Sequence, residues 1–361
     1  MSSHQNFQYH SRGFSLVEIM VGMVISLLSM LIILQVFSAF EGQKRTSTSG
    51  SDAQTNGSIA LFTIERDIRN AGSAFGNVPA ALGCKINRSY NGINSVFSLQ
   101  PIVIENGAGG LPDKITTLAG GEGGWSVPTK IIKDHPSTSV NFFVKSIIGI
   151  KDNDLMIAFD PEDPTKDCTL FQVTDTPNSN KLVHHRPTSP YNPSGGANIY
   201  PPGGYGIKTI LFNLGQMIER TYSISNVNEL LVEELAVAAA PLPLMPDIVN
   251  LQAQYGFDAR PGNPPDKQVT IWQDSMIDAD NNGKVGDSGD ITRMVAVRLA
   301  IVARSGQQEK FNSRGACDTT TVPPTWANGS IDVSMNPNWQ CYRYKTFETI
   351  VPLRNLIWRQ I

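Results

Sequence analysis

Residues with the types and spacing for chemistry are few in this chain. The best grouped lie between Asp278 and Asp290, in DADNNGKVGDSGD. Asp278, Asp280 and Asn282 follow the D-x-D-x-N spacing that sets three oxygen ligands round a turn, and Gly283 permits the sharp bend of a Ca²⁺ loop. In such a loop Lys284 offers its carbonyl and Val285 packs inward. The twelfth position, where a bidentate acid closes the ligand set, is Gly289, with Asp287 and Asp290 on either side. The alternative is an acidic hairpin turn joining the strands QVTIW and MVAVRLAIVA. Calcium at Asp278, Asp280, Asn282, Lys284, Asp287 and Asp290 is therefore one of two expectations, and no cofactor is required.

Catalytic groupings are missing. The histidines are His4, His10, His135, His184 and His185, the first two near the start and the others in polar, loop-like contexts. No G-x-S-x-G, H-E-x-x-H or P-loop occurs. Adjacent residues on a strand point to opposite faces, so His184 and His185 read as a solvated loop pair rather than a metal site. A non-enzyme is expected.

One acid stands in an odd place. From Phe14 to Phe40 the chain is apolar, with Glu18 its only charge. At about 1.5 Å per residue this run spans roughly 40 Å as a helix, enough for a bilayer core of about 30 Å. It is too long for a secretory signal, and no A-x-A-like site follows it. A carboxylate in a membrane segment usually marks pairing or function. Position i−4 from Glu18 is Phe14 and i+4 is Gly22, so its own helix offers no cation. Cleavage between Gly13 and Phe14 would create one, the new amine of Phe14, on the same or a neighbouring chain. The alternative is an acid at the membrane edge, tolerated by the positive end of the helix dipole.

The elements that must position these residues follow from pattern. Beyond Phe40 the chain turns polar, then helical again in IALFTIERDIRNAG, where Ile64, Ile68 and Ala71 form one apolar face and Gly72 is a stop. Residues 14 to about 71 read as one long helix, loosened or broken between Gly42 and Gly57. From about Ala74 short β-type runs alternate with turns rich in Gly and Pro, and MVAVRLAIVARS has the length of a central strand. NELLVEELAVAAA fits a helix or a strand pair. The fold class expected is α+β: a long N-terminal helix on a predominantly antiparallel sheet domain. The segments are 1–13, 14–40, 41–72 and 73–361. Beyond a membrane anchor the four cysteines read as two disulfides, preferably Cys317 with Cys341 and Cys84 with Cys168, against four buried thiols. Net charge of −3 gives no reason to expect nucleic acid as a partner.

RGFSLVEIMVGMVISLLSMLI resembles the class III signal of type IV prepilins. LFTIERDIRNAG, MVAVRLAIVARS and YRYKTFETIVPLRNLIWR are similar to segments of the PilW group of minor pilins. The resemblance implies Gly13 as the last leader residue, Phe14 as the cleaved and N-methylated first residue, and Glu18 as the fifth-position acid. Where the family often has a kinking proline, this chain has Gln35. The implied partners are a prepilin peptidase, an inner-membrane assembly platform, other minor and major pilins, and the bilayer before assembly. The implied location is the inner membrane with a periplasmic domain, then the filament at the cell surface. A minor pseudopilin of type II secretion and a membrane-anchored, Ca²⁺-dependent adhesin are the rival expectations.

Overall fold

A computed structural model of the chain describes residues 13–121, 127–176, 182–193, 199–235, 240–260, 266–312 and 314–357. The expected leader up to Arg12, with His4 and His10, lies outside the described residues. The chain divides into two compact units, Met1–Ser51 and Asp52–Ile361.

Helix α1, Leu16–Asn70, is common to both. In the first unit every side chain from Phe14 to Phe40 is exposed, an apolar surface suited to lipid or to other helices. The expected break between Gly42 and Gly57 is absent, and the helix is continuous through 55 residues. In the second unit tertiary packing overrides the low propensity of Gly57, because a Cβ there would overlap the Phe347 ring. Ala53, Ala60, Ile64, Ile68 and Ala71 form its buried stripe. The helix stops where the sequence signal lies: Gly72 adopts φ 79°, and its N–H donates to the Leu118 carbonyl at 2.9 Å. The Asn355 side chain donates to the carbonyls of Arg69, Asn70 and Ala71 at 3.4, 3.2 and 3.0 Å, covering groups that a helix end leaves without partners.

Three main sheets build the second unit. The six-stranded sheet runs Ile93–Ser98, Lys85–Tyr90, Cys168–Gln172, Leu155–Phe159, Ile210–Gly215, Thr129–Lys130. The five-stranded sheet runs Leu242–Pro246, Glu229–Glu234, Ile218–Ile224, Lys114–Ala119, Ile102–Glu105. The four-stranded sheet runs Ile271–Gln273, Ile248–Phe257, Met294–Arg304, Tyr344–Pro352. Pairing within these sheets is antiparallel except between Lys85–Tyr90 and Cys168–Gln172, which meet in parallel through Ile86 with Cys168 and Asn87 with Thr169. The disulfide Cys84–Cys168, Cα atoms 6.0 Å apart, fastens that short parallel contact at its start.

Met294–Arg304 is the central strand its composition predicts, with only Arg298 and Arg304 outside the buried class. NELLVEELAVAAA is resolved in favour of strand, as Glu229–Glu234, while residues 236–239 lie outside the described set. One large core packs Ile64, Ile68, Phe75, Tyr222, Tyr255 and Leu299 together. A second holds Phe142, Phe171, Tyr200 and Tyr205 under the six-stranded sheet's far end.

Candidate functional site

The start of α1 is built from four residues. Gly13, Phe14 and Ser15 precede the helix in irregular backbone, and Phe14 is 84% exposed. Ser15 stands at the N-cap and Glu18 three residues on, where the Ser15 backbone N–H donates to Glu18 Oε2 at 3.0 Å. This is the acid's half of a capping box, in which a carboxylate at the third helical position satisfies the cap's own N–H. The S-x-x-E spacing of Ser15 and Glu18 is the sequence signal for this cap, which the expectation of a missing cation for Glu18 did not use. Both the cap and the helix dipole hold Glu18 in place.

The Asp278–Asp290 loop is not a hairpin turn. Ile271–Gln273 and Met294–Arg304 do not pair. Ile248–Phe257 lies between them, bonded to Met294–Arg304 on one edge and to Ile271–Gln273 on the other. The connecting segment instead carries a short helix, α2, Ser288–Arg293. Asp287 caps it, Oδ1 accepting from the N–H groups of Gly289 and Asp290 at 2.8 and 3.2 Å. Asp290 is fully buried, and its carboxylate accepts from the N–H groups of Ala279, Asp280 and Gly286 at 2.6, 3.3 and 2.7 Å. Burial raises its pKa, against those backbone donors. Asp278 accepts from Asn282 and Gly283 at 3.0 and 2.8 Å, and the Asn282 amide spans Asp280 and Asp287.

One carboxylate oxygen each from Asp278, Asp280 and Asp290 lies within 4.8 Å of the others. Val285, expected to pack inward, is 63% exposed, because the turn into α2 is closed by Asp290 rather than by an apolar plug. Gly289 leaves room that Asp280 fills, since a Cβ there would overlap the Asp280 carboxylate.

The histidines are not a solvated pair. His185 and His135 are buried, 3% and 1% exposed. Their Nε2 atoms lie 2.9 Å apart, and the Tyr200 hydroxyl lies 2.9 Å from His185 Nδ1. His184, on the other face of strand Leu182–His184, meets the Asn141 side chain. Hydrophobic neighbours explain the difference: Phe142 stacks on His135 at 3.8 Å and Phe171 lies beside His185. Burial pushes His135 down to about 4, and holds His185 well below the usual range.

Cys84 is bonded to Cys168 and Cys317 to Cys341, the pairing preferred from sequence.

A long exposed apolar helix, opened by a capped acid and leading into a mostly antiparallel sheet domain, defines an α+β pilin-like protein. Residues 9–34 match the prokaryotic N-terminal methylation motif, and residues 218–355 match the family described as type IV pilus-assembly protein W. Together they support a PilW-like minor pilin, processed at its N-terminus and incorporated in type IV pilus assembly. No curated protein matches the chain. The second match begins in strand Ile218–Ile224 and ends at Asn355, so it contains the whole four-stranded sheet and the Asp278–Asp290 loop. The helix segment Leu61–Gly72 lies between the two matched stretches.

Proposed function

We propose that α1 stores this subunit in the inner membrane, with the globular domain periplasmic, until a prepilin peptidase cuts between Gly13 and Phe14. The new amine is methylated, an inner-membrane platform extracts the chain, and Phe14–Phe40 exchanges lipid for the helices of other minor and major pilins. Glu18, already held by Ser15, then pairs with the amine of an adjacent subunit and sets its register in the filament. The observation that carries this reading is the exposed Gly13–Phe14 junction ahead of a capped helix whose Phe14–Phe40 surface is exposed throughout. Mass spectrometry of the N-terminus of the native protein tests it: a chain beginning at N-methyl-Phe14 is expected, and an intact Met1 in piliated cells overturns it. A pseudopilin role in type II secretion is not better supported.

We also infer that the Asp278–Asp290 loop takes Ca²⁺ weakly. Convergence of the Asp278, Asp280 and Asp290 oxygens favours this, although Asp287 is engaged in capping α2.

A further inference from the structure

At the far end of the six-stranded sheet, three short stretches bring together lysines and exposed isoleucines. The isolated bridge Ile131–Val144 and two flanking bonds, Ile132 N–H to the Phe143 carbonyl at 2.8 Å and Lys145 N–H to the Lys130 carbonyl at 2.9 Å, set the register. Ile131 and Val144 point into the second core. Lys130 and Lys145 therefore stand opposite each other on the outer face, with Ile132 opposite Phe143 beside them. Lys133 lies over the Phe143 ring, its Nζ 4.3 Å from the centroid. On the third stretch, Ile210 pairs with Lys130, and Lys208 and Ile207 precede it on exposed backbone.

Two features of this face are costly to the fold. Like charges directly across a strand pair repel, and Lys208 holds φ 86°, a conformation that favours glycine. Acid relief is slight. Glu162 pairs with Lys208 at 2.6 Å, and Asp134 accepts the Ile207 N–H at 2.9 Å. Among the described residues Lys130, Lys133 and Lys145 have no ion-pair partner. Between these cations Ile132 and Ile207 are 47% and 55% exposed. A chain with net charge −3 thus keeps one face on which lysines alternate with aliphatic side chains.

We propose that this face rests on an anionic lipid surface while the subunit is held in the membrane. Lysine heads fit lipid phosphates, and side chains such as Ile132 and Ile207 enter the headgroup boundary, a composition typical of interfacial binding. An acidic protein surface without apolar residues would engage the lysines but leave the isoleucines wet. A polyanion in solution would do the same. The proposal rests on the membrane-anchoring reading, since the anchor places a bilayer within reach of the domain.

The test uses the full chain in vesicles of phosphatidylcholine alone or with phosphatidylglycerol, and reads lysine acylation by peptide mass spectrometry. Flotation with both vesicle types reports the anchor independently. Reactivity of Lys130, Lys133 and Lys145 is expected to fall several-fold only with phosphatidylglycerol, while Lys114 on the five-stranded sheet stays unchanged. High salt should reverse the protection. Lys130→Gln with Lys145→Gln should abolish it at Lys133 without altering flotation. Flotation with equal reactivity in both vesicles overturns the lipid proposal and leaves the anchor standing. Failure to float overturns both. Protection that appears in phosphatidylcholine only when other pilin subunits are added assigns the face to a protein and overturns the proposal.

Discussion

The Tyr222 hydroxyl donates to Asp67 Oδ2 at 2.6 Å, joining the last turns of α1 to the middle of the five-stranded sheet. Arg220 Nη1 reaches the same oxygen at 3.0 Å, and its Nε meets Glu234 at 2.5 Å on the neighbouring strand. Asp67 is 7% exposed, so its charge is held by partners rather than by water. Burial and the bond to Asp67 together raise the Tyr222 hydroxyl pKa well beyond its ordinary value. Asp67→Ala should cost about 3 kcal/mol, because it strands a buried hydroxyl and part of a guanidinium, whereas Tyr222→Phe should cost about 1 kcal/mol. Urea unfolding measures both. Equal losses would show that Asp67 acts only through Tyr222.

Gly57 and Gly50 should answer alanine in opposite directions. A Cβ at Gly50 meets nothing, so Gly50→Ala should gain up to about 1 kcal/mol of helix stability. At Gly57 the Phe347 ring occupies the space, and Gly57→Ala should destabilise by about 1–3 kcal/mol. Thermal melts of the two variants decide it. A raised midpoint for Gly57→Ala would mean the ring moves aside freely.

Stability should depend on pH through buried groups of opposite sense, two histidines and one aspartate. Folded His135 resists protonation until about pH 4 while the unfolded residue takes a proton near 6.5, so stability present above 6.5 is lost as pH falls toward 4. His185 acts in the same direction. Asp113, raised by burial from 3.8 to about 6, contributes most below 3.8 and loses that contribution as pH rises through about 6. Its carboxylate accepts from the N–H groups of Gly107 and Ala253 at 2.8 and 2.7 Å. Asp113→Asn should therefore steepen the acid-side loss, and His135→Phe should flatten it. Urea midpoints across this range test the signs; an Asp113→Asn protein whose stability is flat between about pH 7 and about pH 5 would contradict them.

Both disulfides should matter, and the longer one more. Cys84–Cys168 spans 84 residues and Cys317–Cys341 spans 24. Chain-entropy arguments put their losses at about 4.5 and about 3.5 kcal/mol. Paired serine variants, compared by denaturant unfolding, should show that order.

Calcium should raise the melting temperature at millimolar concentration if the Asp278, Asp280 and Asp290 oxygens hold it. Asp280→Ala should remove the rise. No shift at that concentration excludes the site.

How far the sequence was legible depends on whether local pattern or distant packing decided the outcome. Strand Met294–Arg304 and the stop at Gly72 were readable, since each needs only a run of residues or a single glycine. The uninterrupted helix was not, because Phe347, which packs on Gly57, is supplied by a strand 290 residues away. The histidines were misplaced for the same reason: His135 and His185 sit in polar sequence, yet Phe142, Phe171 and Tyr200 enclose them in space. At the Asp278 loop the D-x-D-x-N spacing was visible, but the strand that separates its two flanks could not be inferred from their order. Strands such as Lys85–Tyr90 and Lys114–Ala119 have mixed polar sequences with no clear alternation, so nothing local marks them.

Asn355, which covers the carbonyls of Arg69, Asn70 and Ala71, has a bearing on synthesis. The helix is finished by a side chain 284 to 286 residues beyond the carbonyls it covers. A polypeptide that stops short of Asn355, or loses its tail to proteolysis, leaves that terminus open to water even if every sheet forms. A truncation or cleavage that removes Asn355 is thereby registered at the last turn of α1, far from the cut in sequence.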